Sequence, residues 1–201
     1  MDTSSGSMHD LEVSACTRCP DLIVSRSQIV NGVGPATADL VIVGEAPGAT
    51  EDERGEPFIG RSGQLLTDAL RDVGISRDSV RITNCVRCRP PDNRNPRKGE
   101  RSNCFAWLAQ ELTAIDPELV LAVGKVPASQ LLDRDIAVKQ AAGSIEDVEF
   151  GDATYPVLVS PHPAAVLYDR SNEAILHDAL TIAAHRIGIT PLNDQTTLGE
   201  F

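Results

Sequence analysis

No stretch of this sequence approaches the roughly 20 consecutive apolar residues that a membrane helix needs, which excludes a membrane-spanning helix as a reading of it. The first ten residues, MDTSSGSMHD, lack the basic-then-apolar order of a secretory signal. A cytoplasmic protein without a membrane partner is therefore expected. Internal repeats and low-complexity tracts are also missing. Lysine is scarce: Lys98, Lys125 and Lys139 are the only three among 18 basic residues. Against these stand 29 acidic residues, for a net charge of −11. A surface rich in carboxylate and poor in lysine suits a high-salt cytoplasm, where excess charge preserves solubility. A halophilic source is the natural reading. Such a background does not argue against a phosphate-bearing partner, because what matters there is local charge. The basic residues do cluster: Arg81, Arg87, Arg89, Arg94, Arg97, Lys98 and Arg101 face only Asp92 and Glu100 across 81–101. One basic strip in an acidic protein is a candidate phosphate contact, with a solvated loop as the plainer alternative.

What is present is enough for one domain. A chain of 201 residues builds one sizeable core and is short for two. Residues 1–10 are expected to be a disordered tail, 11–187 a single domain and 188–201 a loose tail. Apolar runs at 40–43, 80–83, 119–123 and 157–160 read as buried strands. Segments 64–73, 100–115, 126–132 and 173–187 carry helical spacing. A short helix is expected within 11–28, while Pro90, Pro91 and Pro96 make 89–97 a loop. Strands alternating with helices imply an α/β fold: a three-layer α/β/α sandwich around a mainly parallel, four-stranded sheet. Ligands of such folds bind at the carboxyl ends of the strands. The loops to search are thus 44–63, 84–97, 124–125 and 160–168.

Chemistry concentrates in those loops and in the cysteines. Cys16-x2-Cys19 and Cys85-x2-Cys88 form two CxxC pairs, a strong metal signal. The ligand set is either these four or Cys16, Cys19, Cys88 and Cys104. Four thiolates suit zinc and an iron–sulfur cluster alike. Loop 44–63, GEAPGATEDERGEPFIGRSG, has glycines that let backbone approach a ligand closely. Its carboxylates make it a poor phosphate cradle, and it lacks the Gly-Lys-Ser/Thr ending of a P-loop. Carboxylates with one aromatic, Phe58, suit a neutral or electron-poor ring. Asn84 follows a strand, and an amide pairs bidentately with a base edge. A turn asparagine is the structural alternative. His162 sits in SPHPAAVLY, its backbone stiffened by Pro161 and Pro163. His177 and His185 fall on the last helix and read as structural or solvated.

Five segments taken in order, ACTRCP, VIVGEAPGATEDERGEPFIGRSGQLL, ITNCVRCRPPDNRNP, LVLAVGK and SPHPAAVLY, resemble the family 4 uracil-DNA glycosylases, the iron–sulfur type. The likeness runs from residue 15 to about 187. It implies a [4Fe–4S] cluster on Cys16, Cys19, Cys88 and Cys104, with Cys85 the extra cysteine and the cluster in a structural role. It implies base excision repair, in which free uracil leaves an abasic site. Phe58 would stack on the flipped base, Asn84 would read its O4 and N3–H edge, and His162 would donate to O2. Glu45 and Glu51 would lie in the pocket near the attacking water, and backbone around Ala46 and Gly48 would line it. Glu45 is also the candidate for excluding the thymine methyl. Arg89, Arg94, Arg97 and Lys125 are the DNA-contact candidates. The expected partner is uracil-containing DNA, with a sliding clamp as the candidate protein partner and a monomer as the working state. Two rivals are a covalent uracil-DNA-binding relative and a non-catalytic cluster module. The first needs a nucleophilic histidine after the strand-two asparagine, and no histidine occurs between His9 and His162.

Overall fold

Alternation within the first buried strand determines how the core divides. In the computed structural model, which describes residues 7–150 and 153–190, Leu40 and Ile42 face one core and Val41 and Val43 the other, as the two-residue period of a strand requires. The elements in chain order are β1 (Ser7–His9), β2 (Glu12–Ser14), α1 (Pro20–Ser25), β3 (Leu40–Gly44), α2 (Ala49–Arg54), α3 (Arg61–Asp72), β4 (Arg81–Asn84), α4 (Lys98–Ile115), β5 (Leu119–Val123), α5 (Lys125–Leu131), α6 (Val138–Ala141), β6 (Ile145–Phe150), β7 (Ala153–Ser160), α7 (Ala164–Tyr168) and α8 (Ser171–Arg186). The main sheet runs β4-β3-β5-β7-β6. Its first four strands are parallel, and β6 is antiparallel to β7. Leu66 and Leu70 of α3 with Leu176 and Leu180 of α8 cover one face. Leu108 and Leu112 of α4 with Leu131 of α5 cover the other. The three-layer α/β/α sandwich is as expected.

Three details differ from the sequence expectation. The sheet has five strands, not four. The fifth, β6 (IEDVEF), is an edge strand whose interleaved acids hide its apolar period, and charges on an edge discourage pairing with other chains. The expected disordered tail is ordered from residue 7: Ser7, Met8 and His9 pair with Ser14, Val13 and Glu12. That hairpin is anchored because Val13 is buried in a third apolar cluster with Leu22, Val86 and Trp107, against which Met8 packs. The domain also runs past 187, since the Ile189 amide bonds to the Ala184 carbonyl at 2.8 Å and its side chain packs on the core. The rest of the expected tails, residues 1–6 and 191–201, lies outside the described residues.

Candidate active site and cysteine lobe

Register aligns the carboxyl ends of the strands. Gly44 pairs with Asn84 across β3 and β4, and Val123 pairs with Ser160 across β5 and β7. The loops that follow therefore open on the same edge of the sheet. Gly44 is the hub. A Cβ placed there would lie 2.4 Å from Phe58 Cε2 and 2.5 Å from Asn84 Oδ1. Only glycine admits both side chains at once. Asn84 is 3% exposed, yet its amide makes no side-chain hydrogen bond with the described residues. Its two N–H donors and its carbonyl acceptor are thus left open toward the strand ends.

Phe58 is held in an unusual pose. Its φ of 54° lies in the left-handed region, which costs a non-glycine residue roughly 1–2 kcal/mol. The residue is 6% exposed, and its ring lies against the His162 imidazole with centroids 5.6 Å apart and planes at 29°. The backbone around it is clamped on two sides. Glu51 Oε1 accepts from the amides of Ile59 (3.2 Å) and Gly60 (2.8 Å). Arg77 Nη2 donates to the Pro57 carbonyl at 2.9 Å. The loop thus contains a short helix, α2, which presents Glu51 back to the segment after Phe58. Sequence period alone does not reveal so short a helix.

His162 follows β7 between two prolines, over Gly124. At φ 104°, Gly124 is in a conformation that favours glycine, and a Cβ there would lie 3.1 Å from His162 Cβ. Its Nδ1 accepts the Ala164 amide at 3.1 Å. A neutral imidazole with Nδ1 as acceptor carries its proton on Nε2. Burial pushes the His162 pKa down to about 4, opposed by the charge of Glu51. The residue is therefore a neutral Nε2–H donor at physiological pH. Glu45 is half-buried, and burial raises its carboxyl above the usual range, opposed by the Arg101 charge. Its carbonyl accepts from Val86 N at 3.0 Å, extending the β3–β4 pairing beyond the strands. Ala46 packs toward the cysteine lobe, while Gly48 caps α2 close to the Glu51 carboxylate.

Glu51, Phe58, Asn84 and His162 thus converge through Gly44 and Gly124. The basic strip fares differently. Arg81 and Arg87 are buried and share Glu111, at 2.8 and 2.7 Å. They tie β4 to α4 and take no part in a surface strip. Arg94 forms two bonds to Glu100, at 2.8 and 2.6 Å, and Glu100 also accepts from the Arg97 amide at 2.7 Å, fixing the start of α4. Arg89 meets Asn93 (2.8 Å), Arg97 meets Asp21 (2.5 Å) and Lys125 meets Asp135 (2.8 Å). Exposed pairs of this kind contribute little to stability.

Cys16, Cys19, Cys88 and Cys104 line one cavity together with Arg26, Arg18 and Asn103. Arg26 Nη1 donates to Cys88 Sγ at 2.9 Å, and Asn103 Nδ2 to Cys19 Sγ at 3.6 Å. Burial raises the thiols of Cys19, Cys88 and Cys104, the last to about 12. Cys85 lies apart, fully buried among Val43, Leu108 and Leu112 in the sheet core. The strand pleat explains this: Cys85 follows Asn84 directly and continues into the face covered by α4. Among the described residues no group of three or more His, Cys, Asp or Glu side chains is gathered as a site for a metal ion. Arg26, Asn103 and Arg77 were missed in the sequence, where an arginine or asparagine in a loop carries no signal of its partner.

A family model described as the Uracil DNA glycosylase superfamily matches residues 31–183. A type-4 uracil-DNA glycosylase of Archaeoglobus fulgidus is 40% identical over 161 residues, covering 78% of this chain and 80% of its own. One of Thermotoga maritima is 39% identical over 162 residues, covering 80% and 82%. A type-5 uracil-DNA glycosylase of Pyrobaculum aerophilum is 35% identical over 141 residues, covering 55% and 62%. The chain belongs to the uracil DNA glycosylase superfamily, with the type-4 enzymes. No helix among the described residues is long and apolar enough to cross a membrane.

Proposed function

We propose that the protein hydrolyses the N-glycosidic bond of uracil in DNA, releasing the free base and leaving an abasic site for base excision repair in the cytoplasm. The convergence of Phe58, Asn84 and His162 about Gly44 carries this reading. A base inside a duplex is out of reach, so uracil is flipped at a cost of about a few kcal/mol. Stacking on Phe58 offsets part of that cost. The unpartnered Asn84 amide donates to uracil O4 and accepts from N3–H. Cytosine presents an amino donor and a bare acceptor, and the same amide pose then leaves buried groups unpaired.

As the bond from deoxyribose C1′ to uracil N1 breaks, negative charge gathers on the base and the sugar becomes cation-like. The neutral Nε2–H of His162 donates to O2, where that charge develops. No protonating carboxylic acid is required, because the uracil anion is a tolerable leaving group. Glu45, ionised, orients the attacking water and takes its proton, and it also borders the C5 position. Glu51 is a positioning residue, its Oε1 committed to the Ile59 and Gly60 amides. Ala46 and Gly48 supply backbone to the pocket wall. Arg89, Arg97 and Lys125 exchange their exposed partners for phosphates, and Arg94 shapes the loop that presents them.

Cys16, Cys19, Cys88 and Cys104 would hold a [4Fe–4S] cluster. Four cysteines set around a cavity, with hydrogen-bond donors already on two of their sulfurs, suit a group wider than a single ion. The cluster would supply structure, tying residues 16–19 to the start of the arginine-rich loop. The enzyme works as a monomer on uracil-containing DNA. A sliding clamp is the protein partner proposed for it. The test of the activity is incubation with uracil-containing and undamaged duplexes. Free uracil is expected from the first alone. Tight binding without release would overturn the enzymatic reading.

A further inference from the structure

Phe58 is the only residue of the pocket that the fold must hold against its own backbone preference, so what holds it is part of the site. Its φ of 54° persists only while the surroundings enforce it. On its carboxyl side the amides of Ile59 and Gly60 are taken by Glu51. On its amino side the Pro57 carbonyl is taken by Arg77, whose Nη1 also donates to Thr67 Oγ1 at 3.2 Å. Thr67 passes the interaction on, its hydroxyl donating to the Gly63 carbonyl at 2.9 Å. Gly63 lies directly beneath the strained residue, where a Cβ would fall 1.8 Å from Phe58 O. One planar guanidinium thus joins the segment before Phe58 to the helix packed under it.

We infer that Arg77 is a positioning residue for the nucleobase-stacking platform, holding Phe58 in its left-handed pose against His162 by bridging the Pro57 carbonyl and Thr67. The inference rests on the reading of Phe58 as the platform for uracil. Arg77 reaches Phe58 through the Pro57 carbonyl and Thr67 and not through the ring. Its removal frees the Pro57–Phe58 peptide to rotate toward negative φ, which swings the ring off the imidazole. Lysine, with a single nitrogen, cannot span the two acceptors in the same plane.

The experiment compares wild type, Arg77→Ala, Phe58→Ala and the double variant by two readouts. The first is kcat/KM on a uracil-containing duplex. Arg77→Ala is expected to lose about tenfold, within the range for losing one base–aromatic stack. In the Phe58→Ala background the same change should cost less than about twofold, because two residues acting through one ring are not additive. The second readout is the NMR shift of the His162 ring protons, which the Phe58 ring current displaces. In Arg77→Ala these signals should move toward those of Phe58→Ala. Losses that multiply, or ring signals that stay at the wild-type position, overturn the inference. Wild type that releases no uracil would sink the glycosylase reading, while the ring signals would still report whether Arg77 holds Phe58. Should Arg77→Ala fail to fold, Thr67→Val removes one of the two acceptors. A smaller shift in the same direction supports the inference, and no shift overturns it.

Discussion

His162 is expected to act as a neutral hydrogen-bond donor. Burial lowers its pKa from 6.5 to about 4. At about 1.4 kcal/mol per tenfold change in the equilibrium, the site disfavours the imidazolium by about 3 kcal/mol. About one molecule in a thousand is then charged at pH 7. Geometry gives the same answer independently: Nδ1 is occupied as an acceptor from Ala164 N, so protonation must break that bond. Replacing His162 by alanine removes one donor to developing negative charge, which costs about 10²–10³ in kcat. Single-turnover kinetics on a uracil duplex should show that loss with DNA affinity nearly unchanged, because the ring donates to charge that exists only in the transition state. The direct check is a ¹⁵N NMR titration of the imidazole. Nε2 should remain the protonated nitrogen down to about pH 4. Titration near 6.5, or a proton on Nδ1, would refute the argument. The sign carries through to stability. Between about pH 4 and 6.5 the unfolded chain binds the proton and the folded one does not. Stability therefore falls as pH drops through that window, and His162→Gln should remove that part of the slope.

Three further outcomes are expected. Glu45 must be ionised to take a proton from water, and burial raises its pKa, so it sets the acid limb of kcat at a pH above the ordinary carboxylate value; Glu45→Gln should abolish that limb, whereas a limb surviving in the variant would remove Glu45 from the base role. Gly44→Ala forces Phe58 and Asn84 apart from a Cβ that would lie 2.4–2.5 Å from each; a displacement of this kind costs about 10²-fold in kcat/KM, and wild-type turnover by a folded variant would contradict the packing described. Cys104→Ala should lower bound iron and sulfide in anaerobically purified protein. Cys85→Ala should leave both unchanged, at a stability cost of about 1 kcal/mol for the lost core atom; equal iron loss in the two would contradict the assignment of Cys85 to the core.

Much of the fold was legible because buried parallel strands are short apolar runs. The runs at 40–43, 119–123 and 157–160 appear where the sequence places them, within β3, β5 and β7. The edge strand β6 was not legible, since acids break its pattern. Short α2 was hidden too, being six residues long in a glycine-rich loop. Of the site, Phe58, Asn84 and His162 stood out by residue type and by position after strands. The strip 81–101 misled, because charge along a sequence does not show which guanidiniums turn inward. Arg81 and Arg87 do so to meet Glu111, 30 and 24 residues away.

The sequence by itself determined the layer architecture, the loops that carry chemistry and, through five ordered segments, the family. These are local properties: period, turn residues and motif spacing are encoded within a few neighbours. Tertiary structure decided what depends on residues far apart in the chain. Where the CxxC spacing left two ligand sets open, it buried Cys85 in the sheet core, apart from the four cysteines of the cavity. It placed the Glu51 carboxylate on the Ile59 and Gly60 amides and Arg77 on the Pro57 carbonyl. It also chose the His162 tautomer and lowered its pKa, because hydrogen bonding and desolvation are set by what surrounds a side chain in space and not by what precedes it in the chain.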